Sequence, residues 1–273
     1  MRQLLEFLKL PTRSLSAEDS SDGEQRQHIL KRLPVKRVLR FGLRILLILA
    51  VLGVLDVARF LIWPDVGALK KQNPQTTAFM EYRKEQWAEQ GRKKTLKHQW
   101  VKLRDISPNL VKAVTIAEDD RFWMHEGFDF EGIEEALLRN LEEGRFAAGG
   151  STISQQLAKN LYFTPTKSLV RKLREAVVTW RVENELSKSR ILELYLNCIE
   201  WGDGVFGVGA ASRHYFGKSP SALTPNEAAA LAAILPNPLK WSPTSQSRVV
   251  KLRKRIILRR LERRLQQDAP VTQ

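Results

Sequence analysis

Three clusters of polar side chains between residues 118 and 175 hold the residue types needed for displacement at a sugar carbon. The first reads Glu118-Asp119-Asp120-Arg121-Phe122, then His125-Glu126-Gly127-Phe128-Asp129. The second is Gly149-Gly150-Ser151-Thr152-Ile153-Ser154-Gln155-Gln156-Leu157-Ala158-Lys159-Asn160, and the third is Arg171-Lys172-Leu173-Arg174-Glu175. Two carboxylates bracketing hydroxyl, amide and cationic groups suit a reaction whose leaving group is a phosphate. One acid accepts a proton while the cations neutralise the departing anion.

The elements that must position these groups read as helices. Ser107-Pro108 supplies an N-cap with proline at the first helical position, and Leu110, Ala113, Val114 and Ala117 follow at helical spacing. Glu118 falls about 100° past Ala117, at the edge of that apolar stripe, where partial desolvation would raise its pKa and make it a better base. Periodicity alone also fits a surface acid in an acidic cluster. By the same count Asp119 and Asp120 are solvated or helix-end groups. In the second cluster Thr152 and Gln155 make a capping box, and Ile153, Leu157 and Leu161 form the buried stripe. Gln156, Lys159 and Asn160 share another face. Just beyond a glycine-rich helix start, that face is either a site for an anionic, oxygen-rich ligand or a solvated polar surface. The glycine spacing of a nucleotide-binding loop is absent.

The third cluster lies on a helix starting near Ser168, with Leu169, Leu173, Ala176, Val177 and Trp180 expected on its buried face. Arg171 and Glu175 then project from the other side, with Lys172 at the flank. A plain i,i+4 ion pair, worth only about 0.2–0.5 kcal/mol, is the alternative. Lys167 adds a cation in the preceding loop. The next segments, 190–197 as helix, the glycine-rich turn 202–209 and a helix opened by Thr224-Pro225-Asn226-Glu227, read as architecture.

Composition sets the frame for these motifs. The chain has 273 residues, a net charge of +15 and one cysteine, Cys198, which excludes an intrachain disulfide framework and reads as a packed small side chain. His28, His98, His125 and His214 form no cluster with zinc spacing, and a structural hydrogen bond is the expected role of His125. Basic residues concentrate at both ends. Residues 248–264 hold nine Lys/Arg against Glu262 alone, a run suited to a membrane surface or to a solvated helix. Residues 38–63 are mostly apolar and as a helix would span roughly 39 Å, enough for a bilayer core. Lys31, Arg32, Lys36 and Arg37 precede this span and Arg40 lies at its start, so the positive-inside rule keeps the N-terminus cytoplasmic. No small-x-small cleavage site follows, which favours an uncleaved anchor over a signal peptide; a buried core helix is the other reading. Export of the remainder argues against nucleic acid as a partner.

The expected organisation is a basic, disordered tail over 1–37, an anchor over 38–63, a connector over 64–97, a catalytic domain over 98–245 and a basic helix or tail over 246–273. Within the domain, 130–146 carries the stripe Ile133, Leu137, Leu138 and Leu141, which suits either lipid or core.

Taken in order, these motifs carry a specific resemblance. Glu-Asp-Asp-x-Phe-x-x-His-x-Gly, Gly-Gly-Ser-Thr-Ile-x-Gln-Gln-x-x-Lys-Asn, Arg-Lys-x-x-Glu and Ile-Leu-Glu-x-Tyr-Leu-Asn resemble the peptidoglycan glycosyltransferases of family 51 over roughly residues 100–240. The resemblance implies a mostly α fold: a lysozyme-like helical lobe plus a small membrane-proximal jaw lobe, preceded by a single N-terminal transmembrane helix. It implies lipid II as acceptor, a growing glycan on undecaprenyl pyrophosphate as donor, and a periplasmic domain on a bacterial inner membrane. Cell-division or elongation proteins are the partners it suggests.

By the same resemblance Glu118 is the general base and Glu175 the second essential carboxylate, organising the cations or a divalent ion such as Mg²⁺ or Mn²⁺. No cofactor is required by the residues themselves. Lys159, Arg171 and Lys172 would neutralise the pyrophosphate, and Asp119, Ser151, Thr152, Gln156 and Asn160 would line the cleft. No Ser-x-x-Lys occurs in the chain, so a penicillin-binding transpeptidase module is not expected in it. Two other classes compete. A lysozyme-like muramidase needs two carboxyl groups but not these cations, and a basic, non-enzymatic membrane or nucleic-acid-binding protein would rest on charge alone.

Overall fold

The computed structural model describes residues 35–142, 150–166 and 168–268, in two units, Met1–Asp56 and Val57–Gln273. The tail before residue 35, the end of the expected jaw segment with Gly149, and Lys167 lie outside the described residues. Helix α1 (Val35–Ala58) and the 3-10 turn that follows it (Arg59–Leu61) carry the apolar stretch Arg37–Leu61, 25 residues of mean hydropathy 2.4 whose apolar part within the helix is not buried. At about 1.5 Å per residue it is long enough to cross a bilayer. A core helix would be covered by protein, so that alternative is removed.

The second unit is mostly helical, as expected, with one small sheet. Its helices are α2 (Ala78–Glu89), α3 (Pro108–Glu118), α4 (Phe130–Glu142), α5 (Ile153–Tyr162), α6 (Leu169–Glu185), α7 (Lys188–Cys198), α8 (Gly207–Phe216), α9 (Pro225–Ile234) and α10 (Arg248–Gln267). β1 (Lys97–His98), β2 (Glu200–Gly202) and β3 (Val205–Phe206) form a sheet in the order β1-β3-β2, with β1 parallel and β2 antiparallel to β3.

Local signals explain the helix starts. Thr152, Ser168, Ser187 and Thr224 each accept a backbone N–H of the first turn, and Thr152 with Gln155 and Thr224 with Glu227 complete capping boxes. Ser107 sits at the N-cap of α3, but its hydroxyl instead donates to the carbonyl of Leu223 at 2.9 Å. Helix α9 is apolar on every side, and Ala228 to Ile234 are all buried, as befits a central helix. It packs against α3 and α10, while α5 packs against α6 and α7.

Residues 64–97 contribute more than a link. Trp87 of α2 is buried, and Arg83 grips Glu200 of β2 with two hydrogen bonds of 2.9 and 2.7 Å. Gly204, at φ +81°, allows the Trp87 ring to lie where a Cβ would be only 2.3 Å away.

Three expectations are corrected. On α6, Leu169, Leu173 and Trp180 are 88%, 59% and 54% exposed, whereas Glu175, Thr179 and Arg181 are buried with Val178 and Val182. The polar residues turn inward because they have partners there. Arg181 donates to the carbonyls of Phe60 and Pro64, and Glu175 meets Arg171 and Lys172. On α4, Phe130, Ile133, Leu137, Leu138 and Leu141 are all exposed, so the core reading of that stripe fails. Helix α10 is not a fully solvated basic rod, because Val250, Ile257 and Leu261 are buried against the domain.

Candidate active site

Glu118 ends α3 and keeps only 12% of its side chain exposed. Burial pushes its carboxyl pKa up; the hydrogen bond from Gln156 and the charges of Arg253 and Lys159 oppose this, and Asp119 adds to it. Gln156 Nε2 donates to Glu118 Oε2 at 3.1 Å, and Gln156 Oε1 accepts from the Tyr195 hydroxyl at 2.9 Å. Tyr195 is itself buried, so the amide is held with its NH₂ toward the carboxylate. The general-base position expected from the stripe of α3 is thus a desolvated carboxylate rather than a surface acid.

Of the two readings of Asp119, solvated or helix-end, the structure takes the second: it is the residue that closes the C-terminus of α3. It is buried, accepts from His125 Nε2 at 2.9 and 3.1 Å, and accepts from the backbone N–H of Ile153 at 2.9 Å. The anion at the N-terminus of α5 is therefore the protein's own carboxylate, which the helix dipole favours. That helix start is not a free ligand site. His125 has the structural hydrogen bond expected of it. Thr152 is likewise spent on structure: its hydroxyl donates to Gly127 O at 2.7 Å and accepts from Gln155 N. Ser151 is exposed.

Asn160 is buried and donates to Gln156 O at 2.8 Å, so its amide braces α5. Lys159 lies with its Nζ 5.7 Å from the Phe79 ring centroid. Burial lowers its pKa, Arg171 lowers it further, and Glu118 opposes both. Lys172 is lowered by burial and then by Lys159 and Arg171. Arg171 pairs with the buried Glu175, and Lys172 Nζ stands 3.6 Å from the other oxygen of that acid. Two cations therefore flank Glu175, both are coupled by repulsion to Lys159, and an anionic ligand would relieve that repulsion.

Two cavities flank the Gln156–Glu118 bond. One, of about 430 Å³, is lined by Glu118, Asp120 and Arg121 and, as expected, by Asp119, Ser151 and Thr152, among others. The other, of about 400 Å³, is lined by Phe79, Tyr82, Gln156, Lys159, Asn160 and Tyr195 with the 235–239 turn. Arg171, Lys172 and Glu175 line neither; Arg171 and Lys172 are coupled electrostatically to Lys159, which lines the second.

A divalent cation does not fit at Glu175. Both its oxygens already face Arg171 and Lys172, and no three His, Cys, Asp or Glu side chains come together among the described residues.

Comparison with known proteins gives the family. The family model described as Transglycosylase matches residues 84–262. The chain belongs to the transglycosylase family. It is 49% identical over 189 residues to the biosynthetic peptidoglycan transglycosylase of Dechloromonas aromatica (strain RCB), covering 69% of this chain and 82% of that protein. The Nitrosomonas eutropha protein of the same name is 47% identical, covering 80% and 89%. The Methylobacillus flagellatus one is 43% identical, covering 83% and 97%.

Sequence reasoning missed four side chains that line the candidate site or contact the acids lining it. Phe79 and Tyr195 come from helices read as connector and architecture. Arg253, whose Nη2 is 3.7 Å from Glu118 Oε1, and Arg260, which pairs with Asp120, come from the basic run near the C-terminus. A signal for the last two existed: Val250, Ile257 and Leu261 recur at i, i+7 and i+11, which marks one buried face of that helix.

Proposed function

We propose that this membrane-anchored transglycosylase polymerises lipid II into β-1,4-linked glycan, with Glu118 as general base. Glu118 removes the proton from the acceptor 4-hydroxyl, and that oxygen attacks the anomeric carbon of the lipid-linked donor. The new O4–C1 bond forms as the C1–O bond to pyrophosphate breaks, with inversion, and the electron pair leaves on undecaprenyl pyrophosphate. Lys159, Arg171 and Lys172 bind the pyrophosphate, Glu175 holds the two α6 cations in place, and Ser151 contacts the sugar in the cavity beside Glu118. Gln156 and Asn160 act by orienting Glu118 and α5, and Asp119 and Thr152 by fixing the start of α5.

The observation that carries this reading is a desolvated carboxylate coupled to a lysine inside a crowd of cations with one acid among them. Hydrolysis of a glycoside needs a second carboxyl group for catalysis and gives those cations nothing to do. The basic run before α1 favours a cytoplasmic N-terminus and a periplasmic domain. The exposed apolar rows of α4 and α6 suit contact with the lipid that holds the substrates. The test is purified enzyme with lipid II in detergent, the products sized on a gel. Long glycan with stoichiometric release of lipid pyrophosphate supports the reading; release of sugars from finished glycan, with lipid II untouched, overturns it.

A further inference from the structure

Helix α10 does more than cover α3. Its residues Val250, Ile257 and Leu261 are buried, and its arginines reach the C-terminal ends of two other helices. Arg253 Nε donates to the carbonyl of Ala233 in the last turn of α9 at 3.1 Å, and Arg260 Nη1 donates to the carbonyl of Ile116 in the last turn of α3 at 3.2 Å. Both carbonyls lie where a helix leaves acceptors unused and where cations are favoured. Arg260 and Arg264 also hold Asp120, the latter at 2.6 Å. Glu118 therefore sits at the negative end of α3, an unfavourable place for a carboxylate, with α10 stapled alongside.

From this geometry we infer that Arg253 is a positioning residue of the reaction, which holds the Glu118 carboxylate ionised and aimed into its cavity. The inference rests on Glu118 being the base. Fixing Nε on Ala233 O leaves Nη2 facing Glu118 Oε1 at 3.7 Å, while Gln156 holds Oε2. At 3.7 Å the guanidinium supplies charge without a short hydrogen bond, so the oxygen keeps a lone pair for the incoming proton.

Other groups also face Glu118. Lys159 from α5 acts with Arg253, Asp119 acts against it, and Tyr195 from α7 is neutral, its hydroxyl pKa raised by burial. Around the adjoining cavity, Asp120 is held by Arg260 and Arg264, and Arg121 by Asp129, Glu131 and Glu135. None of these contacts involves Arg253, so its removal changes one charge.

The experiment is the pH profile of kcat for the full chain in detergent micelles with lipid II, for the parent, Arg253→Gln, Arg253→Met, Arg253→Lys and Glu118→Gln. Loss of the cation raises the pKa of the base. The acidic limb should therefore move up by about one pH unit, a roughly tenfold lower rate at a fixed pH on the limb, with recovery toward alkaline pH. Arg253→Lys should return the limb most of the way. The midpoint of the limb does not depend on how much enzyme folds, and Arg253→Met keeps the aliphatic stem, so partial misfolding does not hide the result. Glu118→Gln inactive with the limb unmoved in both neutral Arg253 variants overturns the inference and leaves the base intact. Glu118→Gln near the parent rate overturns the base itself.

Discussion

Replacing Glu118 with glutamine should push rate and stability in opposite directions, and that divergence is what separates a catalytic carboxylate from a structural one. The side chain is 12% exposed and its pKa is raised chiefly by burial. A carboxyl whose folded pKa lies above its unfolded value binds its proton more tightly in the folded state. Its charged form therefore costs stability at pH values above the folded pKa, and that cost fades as pH falls through it. Each unit of upward shift corresponds to about 1.4 kcal/mol. A neutral glutamine removes the cost, and its amide oxygen still accepts from Gln156. The variant should unfold at the same or a higher denaturant concentration than the parent at neutral pH. Turnover should nonetheless fall roughly 10²–10⁴-fold, equivalent to about 2.7–5.5 kcal/mol of barrier, because the amide cannot take the acceptor proton. The assays are lipid II consumption per folded molecule and urea unfolding at two pH values. A variant that loses stability while keeping its rate would refute the reasoning.

Lys159→Ala and Arg171→Ala should each weaken binding of an unreactive lipid pyrophosphate by about 1.5–3 kcal/mol, or roughly 10–150-fold, with a shallower salt dependence; titration that shows parent affinity in both would remove the pyrophosphate assignment. A chain starting at Val57 should fold as the parent unit does, whereas one starting at Pro64 loses the buried Phe60 and one carbonyl partner of Arg181, and should be less stable by about 3–5 kcal/mol in urea. Equal midpoints for the two would show that Phe60 does not anchor the unit. Leu137→Asn with Leu141→Asn on the exposed row of α4 should lower binding to liposomes and leave the unfolding free energy within about 0.5 kcal/mol per site, and a large loss of stability would instead place that row in a core.

What the sequence made legible was local. The capping boxes at Thr152 and Thr224, the stripe of α5 and the edge position of Glu118 all follow from spacing within one helix, and the structure places them so. Helix α6 was read partly inside out for a physical reason, although Val177 packs against the core as expected. Its apolar row, Leu169, Leu173 and Trp180, is a sound helical stripe, but spacing cannot tell a stripe that meets protein from one left exposed on a membrane-anchored enzyme. Asp119 is at the helix end, one of its two readings, but its burial was not legible, because the partners that justify it are His125, six residues on, and Ile153 N, 34 residues on. Arg253 acts 135 residues away in sequence from Glu118, across a helix pair that no local pattern pairs with α3.

The distribution of charge ties these corrections together. The fold satisfies the ends of its own helices: Asp119 at the start of α5, and Arg253 and Arg260 at the ends of α9 and α3. Lys159 is left with no carboxylate in ion-pair contact among the described residues, and Arg171 and Lys172 share Glu175. Three cations less one acid leave two positive charges in that cluster. A pyrophosphate bridging lipid and sugar carries two negative charges and gains a third as the sugar departs. On the proposed reading the cluster therefore holds the leaving group more tightly at bond cleavage than in the bound donor, which is the difference that lowers a barrier. Replacement of Glu175 by the neutral, near-isosteric glutamine would add one net positive charge and unbalance that match. It should tighten binding of the pyrophosphate product relative to the donor, and slow its release. Product inhibition that is unchanged in Glu175→Gln, at equal folded enzyme, would show that the charge of the cluster is not what the reaction uses.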